Sequence, residues 1–361
     1  VKIWLFLLFY ATIMMVIKVK SKKRYILFIL FFFLLIFATY YFILKDYSLE
    51  ALKFSLQNCH VSILLWGVIL MFFYAFWGAF FLKRMLFHFG KKTTLFASLG
   101  YVCTENYFSA ITPSSMGGQP VEMYEMNKDN IPYRINSIII LLNTILYKIA
   151  LILLAFILFP FYFHSLFSIN KVFTILVILG LVTTILVIFL FLLMVYSHKI
   201  FPKFMLRLIH IGSKLHLIKN EEKKKEEFQN ALKDYAACAE LTKKKPLILL
   251  EGLFYMILQR FSLLGVSYII YLAFGLHDYS IFYLITVQIG ITLASDFVPF
   301  PGGVVVSENL LLAVDEAVYG PLLATSAMIL LRTLSFYLFV IFCAIVYLIF
   351  HSIKRKRVVD L

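Results

Sequence analysis

The sequence predicts an all-α polytopic membrane protein, with six full spans and two re-entrant hairpins arranged as an inverted repeat. Three observations predict it. Of 361 residues, 62% are hydrophobic and 15% are charged, against about a quarter charged in soluble domains. Apolar runs such as Tyr25–Ile43 and Val61–Leu82 reach the roughly 20 residues that carry a helix across a ~30 Å hydrocarbon core. The Lys and Arg residues behind the net charge of +15 sit between those runs. In lipid a helix satisfies its own backbone groups, so the runs read as helices despite their Phe, Ile and Tyr content.

The long spans are Tyr25–Ile43, Val61–Leu82, Ile135–Phe163, Val172–Tyr196, Leu247–Leu276 and Pro321–Phe350. Two further apolar stretches, Leu95–Asn130 and Ile281–Asp315, carry Pro and Gly near their middles, where a continuous helix breaks. Basic clusters fall at Lys18–Arg24, Lys83–Lys92, Lys199–Lys245 and Lys354–Arg357. The positive-inside rule places these in the cytoplasm, with both termini. The first broken stretch then enters and leaves on the cytoplasmic side and the second on the outer side. Broken backbone at that depth is tolerated only when buried in protein or lining a wet cavity.

The chain divides into an N-terminal segment, 1–24, a first membrane repeat, 25–163, a second, 172–350, and a basic cytoplasmic tail, 351–361. Two readings fit Ile3–Ile17: an extra N-terminal helix, or a mis-assigned start ahead of Met14 or Met15. A signal peptide fits poorly, because the run lacks a basic flank and a cleavage site; of the two readings the second is preferred. Within 197–245, Phe204, Leu208, Ile211, Leu215 and Ile218 recur at helical spacing among Lys203, Arg207 and Lys214, the pattern of a helix in the headgroup layer. Asn220–Lys245 reads as a charged surface helix, a solvated connector more than a regulatory element.

A shift of 186 residues places Ser109, Pro113 and Glu122 on Ser295, Pro299 and Glu308, and Val61–Leu82 on Leu247–Tyr268. Gly117 and Gly118 meet Gly302 and Gly303 with a one-residue slip. Opposite hairpin orientations make this repeat inverted. Inverted repeats with broken helices near the midplane are a transporter architecture, with substrate at the repeat interface.

The candidate turns are Pro113, Gly117, Gly118 and Pro120 in one hairpin, and Pro299, Pro301, Gly302 and Gly303 in the other. A half-helix starting after Gly118 or Gly303 aims free N–H groups at the cavity, where an anion is favoured. Such turns either line a substrate path or merely reverse the chain. Ionisable residues inside spans are functional candidates by default. Lys148, Arg260 and Arg332 lie within spans, and Glu105, Glu122, Asp296 and Glu308 within the hairpins. The candidate substrate contacts are Arg260, Arg332, Lys148, Glu122, Glu308, Asp296, Gln119, Ser109 and Ser295. The cations would receive a lipid phosphate. The carboxylates would orient them, meet a cationic headgroup or carry a coupling proton. The competing reading is a set of salt bridges holding broken helices together.

Cys59, Cys103, Cys238 and Cys343 form no CxxC pair, and the His residues show no HExxH spacing; no metal or cofactor site is predicted. Nor does a nucleotide-binding loop or a Ser/His/Asp arrangement stand out, and no catalytic residue is assigned. Nucleic acid is not expected as a stable partner. The basic residues read as topology signals and contacts to anionic lipid.

The hairpin motifs, Thr112-Pro113 through Gly117-Gly118-Gln119-Pro120 and Pro299-Phe300-Pro301-Gly302-Gly303 with Glu308, resemble a flippase-like transmembrane family. That family includes the membrane half of lysylphosphatidylglycerol synthases of the multiple peptide resistance factor type. Arg332-Thr333-Leu334-Ser335 is similar too, and the resemblance runs from about Arg24 to Phe350. Many members carry a basic residue where this chain has Glu122. The lysyl-transfer domain of the full-length synthases is not among these residues. The resemblance implies a plasma-membrane translocator of a phospholipid such as lysyl-phosphatidylglycerol, or of a lipid-linked headgroup. It leaves two alternatives: a phosphatidylglycerol lysyltransferase using lysyl-tRNA, or a scaffold for a separate lipid synthase. The implied partner is a membrane phospholipid, anionic or aminoacylated.

Overall fold

A computed structural model of the chain describes residues 59–112, 117–196, 247–297 and 312–359, with Gln57, Arg207 and Glu222. The span Tyr25–Ile43, the segment 1–24, nearly all of 197–245, and Pro113, Pro299, Pro301, Gly302, Gly303 and Glu308 lie outside the described residues. Among the described residues every regular element is helical. In chain order these are α1 (Val61–His88), α2 (Leu95–Ile111), α3 (Gly118–Lys128), α4 (Tyr133–Phe167), α5 (Lys171–Tyr196), α6 (Leu247–Leu264), α7 (Val266–Ala273) and α8 (Ile281–Phe297). Then follow α9 (312–319), α10 (Ala324–Arg332), a π-helical segment (Thr333–Leu338) and α11 (Phe339–Val359).

Among the described residues, five helical stretches are long and apolar enough to cross a membrane: Val61–His88, Tyr133–Phe167, Lys171–Phe191, Leu247–Ala273 and Ala324–Ile353. Each overlaps a span read from the sequence. Their large side chains often face outward, as with Phe156 and Phe161 at 79% exposure, since lipid is as apolar as they are. α1 runs past Leu82 because its last turn finds ion partners on α6. Arg84 pairs with Glu251, and His88 Nε2 lies 2.8 Å from the same carboxylate. α4 carries Pro160 inside it, and Tyr162 there leaves helical geometry at φ −121°, ψ 15°, a proline kink.

The segment from α2 to α3 doubles back on itself. Lys91 Nζ donates to Asn130 O at 3.0 Å, and the Tyr101 hydroxyl donates to Asp129, so its two ends meet. Near the turn, Thr112 Oγ1 donates to Phe108 O at 2.6 Å and accepts from Gly117 N at 3.0 Å. A Cβ on Gly118 would collide with the Ser109 hydroxyl and the Glu105 carbonyl, so only glycine lets the two arms cross here. The 11 residues of α3 reach ~17 Å at ~1.5 Å per residue, well short of a bilayer core.

The start of α8 also lies near the end of α9. Tyr271 on α7 sets its ring at a tilt to Tyr279, just ahead of α8, and edge-on to Tyr319 at the end of α9, with centroids 6.0 Å and 5.7 Å away. The Tyr319 hydroxyl donates to Ser267 O at 2.9 Å.

Moving the bounds of α2 by 186 residues gives 281–297, the bounds of α8. Moving α1 gives 247–274, against Leu247–Ala273 for α6 with α7. The packing is reciprocal. α1 lies against α6 and α7, α2 packs on α11, and α8 packs on α4 and α5. At the α5–α8 crossing, a Cβ on Gly180 would enter the Leu293 carbonyl. Small residues at such contacts let membrane helices approach.

Candidate functional site

A cavity of about 280 Å³ lies between the first hairpin and three spans. α1 contributes Tyr74, Gly78, Phe81 and Leu82. α2 adds Val102, Glu105 and Asn106, and α3 adds Gln119 and Glu122. α4 adds Ile139, Ile140, Asn143, Thr144 and Tyr147, and α6 adds Gln259 and Arg260. Phe81, Leu82, Val102, Ile139 and Ile140 are the apolar part of the lining and most of the rest is polar, in a bundle with many large apolar side chains exposed.

Arg260 organises the polar part. Its guanidinium carbon lies 3.9 Å from the Tyr147 ring centroid and 5.7 Å from that of Tyr74. Stacking on aromatic faces suits a planar, weakly hydrated cation and leaves its edge available to oxygen. Its Nε is buried with no hydrogen-bond partner among the described residues. The charges of Arg260 and Glu105 lie close enough to act on each other, as do those of Glu105 and Glu122. Glu122 is 5% exposed. Neighbouring amides are held by backbone: Gln259 Nε2 donates to Tyr74 O at 3.2 Å and Asn106 Nδ2 to Val102 O at 2.8 Å. The result is one guanidinium and two carboxylates around a space large enough for a polar group.

The structure brings Arg260, Glu122 and Gln119 of the expected contacts to this cavity. Lys148 and Asp296 pair with each other, joining α4 to the end of α8. Lys148 Nζ also lies 5.2 Å from the centroid of Tyr147, so this pair adjoins the cavity without lining it. Ser109 sits at the Gly118 crossing, and Ser295 is half-buried on α8. Gly117 and Gly118 open α3, and Pro120 stands in its first turn, where the missing N–H is no loss.

Arg332 lies elsewhere, where α10 meets the π-helical segment. Its Nε is buried without a hydrogen-bond partner among the described residues, as is Oδ2 of Asp315 on α9. The two charges act on each other, and Asp315 is 2% exposed. Among the described residues no group of three His, Cys, Asp or Glu side chains is placed to hold a metal ion.

Sequence reasoning did not single out Tyr74 and Tyr147, because aromatic residues make up 18% of the chain and carry no signal by type. Asn106, Asn143 and Gln259 did carry one, as amides inside apolar stretches. Burying them without a partner is costly.

No curated protein and no solved structure matches this chain. The family described as the lysylphosphatidylglycerol synthase TM region matches over residues 5–343. That match takes in every wall of the cavity. With its apolar helices, this multi-pass membrane protein belongs to the lysylphosphatidylglycerol synthase transmembrane-region family.

Proposed function

We propose that the protein is a lipid translocator whose cavity receives the headgroup of an aminoacylated phospholipid such as lysyl-phosphatidylglycerol. The observation that carries the reading is Arg260 Nε, buried beside a polar cavity without a hydrogen-bond partner among the described residues. An arginine edge in a membrane interior is completed by an oxyanion, and a phosphodiester supplies one with the right planar spacing. Glu105 and Glu122 then meet the ammonium groups of the aminoacyl part, which a plain anionic lipid lacks. At about 280 Å³, the cavity is close to the ~300 Å³ lower end for ligand sites. It suits a headgroup whose tails stay in the bilayer.

Transport across the membrane follows from an inverted repeat, with six spans, two re-entrant hairpins and both termini in the cytoplasm of a plasma-membrane protein. The matching helix bounds at a 186-residue shift and the closed base of the first hairpin support that reading. Lys148, Asp296, Arg332 and Glu308 would then contact the headgroup at other stages.

The family's description favours a second reading, lysyl transfer to phosphatidylglycerol. Purified protein in liposomes separates the two. With labelled lysyl-phosphatidylglycerol in one leaflet and no lysyl-tRNA, the label should reach the other leaflet faster than in empty liposomes. Lysyl-lipid formed from lysyl-tRNA, with no such movement, would overturn translocation in favour of synthesis. Neither activity would leave the scaffold reading.

A further inference from the structure

The cavity beside Arg260 does not balance its own charge. Its lining holds one cation, Arg260, against two carboxylates, Glu105 and Glu122, and among the described residues no other charged side chain lines it. The adjoining Lys148 and Asp296 cancel each other. The other ionisable groups facing the two carboxylates are the Tyr74 and Tyr101 hydroxyls and the Cys343 thiol on α11, with Tyr147 across the cavity. Phenols and thiols carry no charge near neutral pH. With both carboxylates ionised, the empty cavity keeps one negative charge, inside a bundle where uncompensated charge is strongly unfavourable.

The hairpin also brings those carboxylates together. Gly118 sits so close to α2 that a Cβ there would enter the Glu105 carbonyl. Glu122 follows Gly118 by four residues on α3, which puts it on the same face one turn on. The two arms therefore deliver both side chains to one place, and their charges act on each other. Like charges so placed share a proton rather than ionise together. One shared proton brings the empty cavity to neutrality: a guanidinium, a carboxylate and a carboxylic acid.

We propose that this site exchanges a proton for its headgroup, taking in a cationic aminoacyl lipid as the proton held between Glu105 and Glu122 leaves. The inference rests on the headgroup reading above and adds the coupling ion. At about pH 6, below the range of an α-amino group, lysyl-phosphatidylglycerol brings one phosphate charge and two ammonium charges. It neutralises the cavity only when both carboxylates are ionised. The proton therefore passes to solvent as the lipid enters and returns as it leaves. Alanyl-phosphatidylglycerol, with one ammonium fewer, is neutral and displaces none.

Two measurements on the full chain in maltoside detergent at about pH 6 test the exchange. The infrared spectrum without added lipid should show the C=O stretch of a protonated carboxyl that disappears in Glu105→Gln and equally in Glu122→Gln. Either substitution leaves one carboxylate for Arg260 to balance. Titration with radiolabelled lysyl-phosphatidylglycerol in weakly buffered dye solution should then release about one proton per lipid bound, and alanyl-phosphatidylglycerol none. Both variants should lose the release. A carboxyl band that survives both substitutions, or lysyl lipid bound without a proton, overturns the exchange and leaves the headgroup site standing. So does binding that requires sodium and ignores pH, which makes a metal cation the balancing charge. Failure of lysyl-phosphatidylglycerol to bind is a different result: it overturns the headgroup reading itself, and the exchange falls with it.

Discussion

Two arginines inside spans, Arg260 and Arg332, look alike in the sequence and differ in their surroundings. Each lies within a span and has a buried Nε without a hydrogen-bond partner among the described residues. Arg260 faces a cavity, flanked by two tyrosine rings and two carboxylates. Arg332 faces one buried carboxylate, Asp315, at a place where the helix widens into π geometry. A charge inside a bilayer needs a partner either way. Arg260 lines a cavity with room for a third party, which favours a binding role.

Substitutions can break that contrast, beginning with the largest expected effect. Arg332→Ala removes the one charge shown to act on buried Asp315 and should cost about 1–3 kcal/mol of stability, read as thermal unfolding in detergent. If transport is lost instead while stability holds, Arg332 is a second phosphate contact, as the sequence suggests. Arg260→Ala should slow transbilayer movement of lysyl-phosphatidylglycerol about a hundredfold, the upper end for a charged hydrogen bond. The variant also leaves Glu105 without its countercharge, so its unfolding temperature is measured beside transport, and Arg260→Lys, which keeps the charge, separates the two effects. Normal transport in Arg260→Ala removes the phosphate role.

Gly118→Ala tests the hairpin that shapes the Arg260 side. The added methyl meets the Ser109 hydroxyl and a backbone carbonyl, so a loss of about 1–3 kcal/mol is expected. A stable, fully active variant would show that the two arms are looser than drawn. Lys148→Ala should be mildest. Its Asp296 partner keeps 29% side-chain exposure, and the loss should stay near ~1 kcal/mol, measured in a double cycle with Asp296→Ala.

The spans were readable because a bilayer imposes length and apolarity on any helix crossing it. The first turn was readable because Gly117, Gly118 and Pro120 have few uses inside a span. Arg260, Glu122 and Gln119 stood out as polar groups in apolar stretches. Their tyrosine supports did not, since ring position depends on which helices neighbour each other, and pattern along a chain does not encode that. The second broken apolar stretch ends at Asp315 in the sequence, whereas the structure puts Asp315 inside α9, almost fully buried. α1 outran its apolar stretch because Arg84 and His88 reach across to Glu251, a long-range pairing invisible to local hydropathy.

The Gly180 contact constrains how this bundle can move. With α5 seated directly on the Leu293 carbonyl, the two helices interlock like a key in its slot. Sliding one past the other would drive backbone into backbone. In the proposed transport cycle, this close seat would favour α5 and α8 moving together, with Asp296 at the end of α8. Movement in that cycle would come from a softer joint, such as the break at Pro160 and Tyr162 in α4.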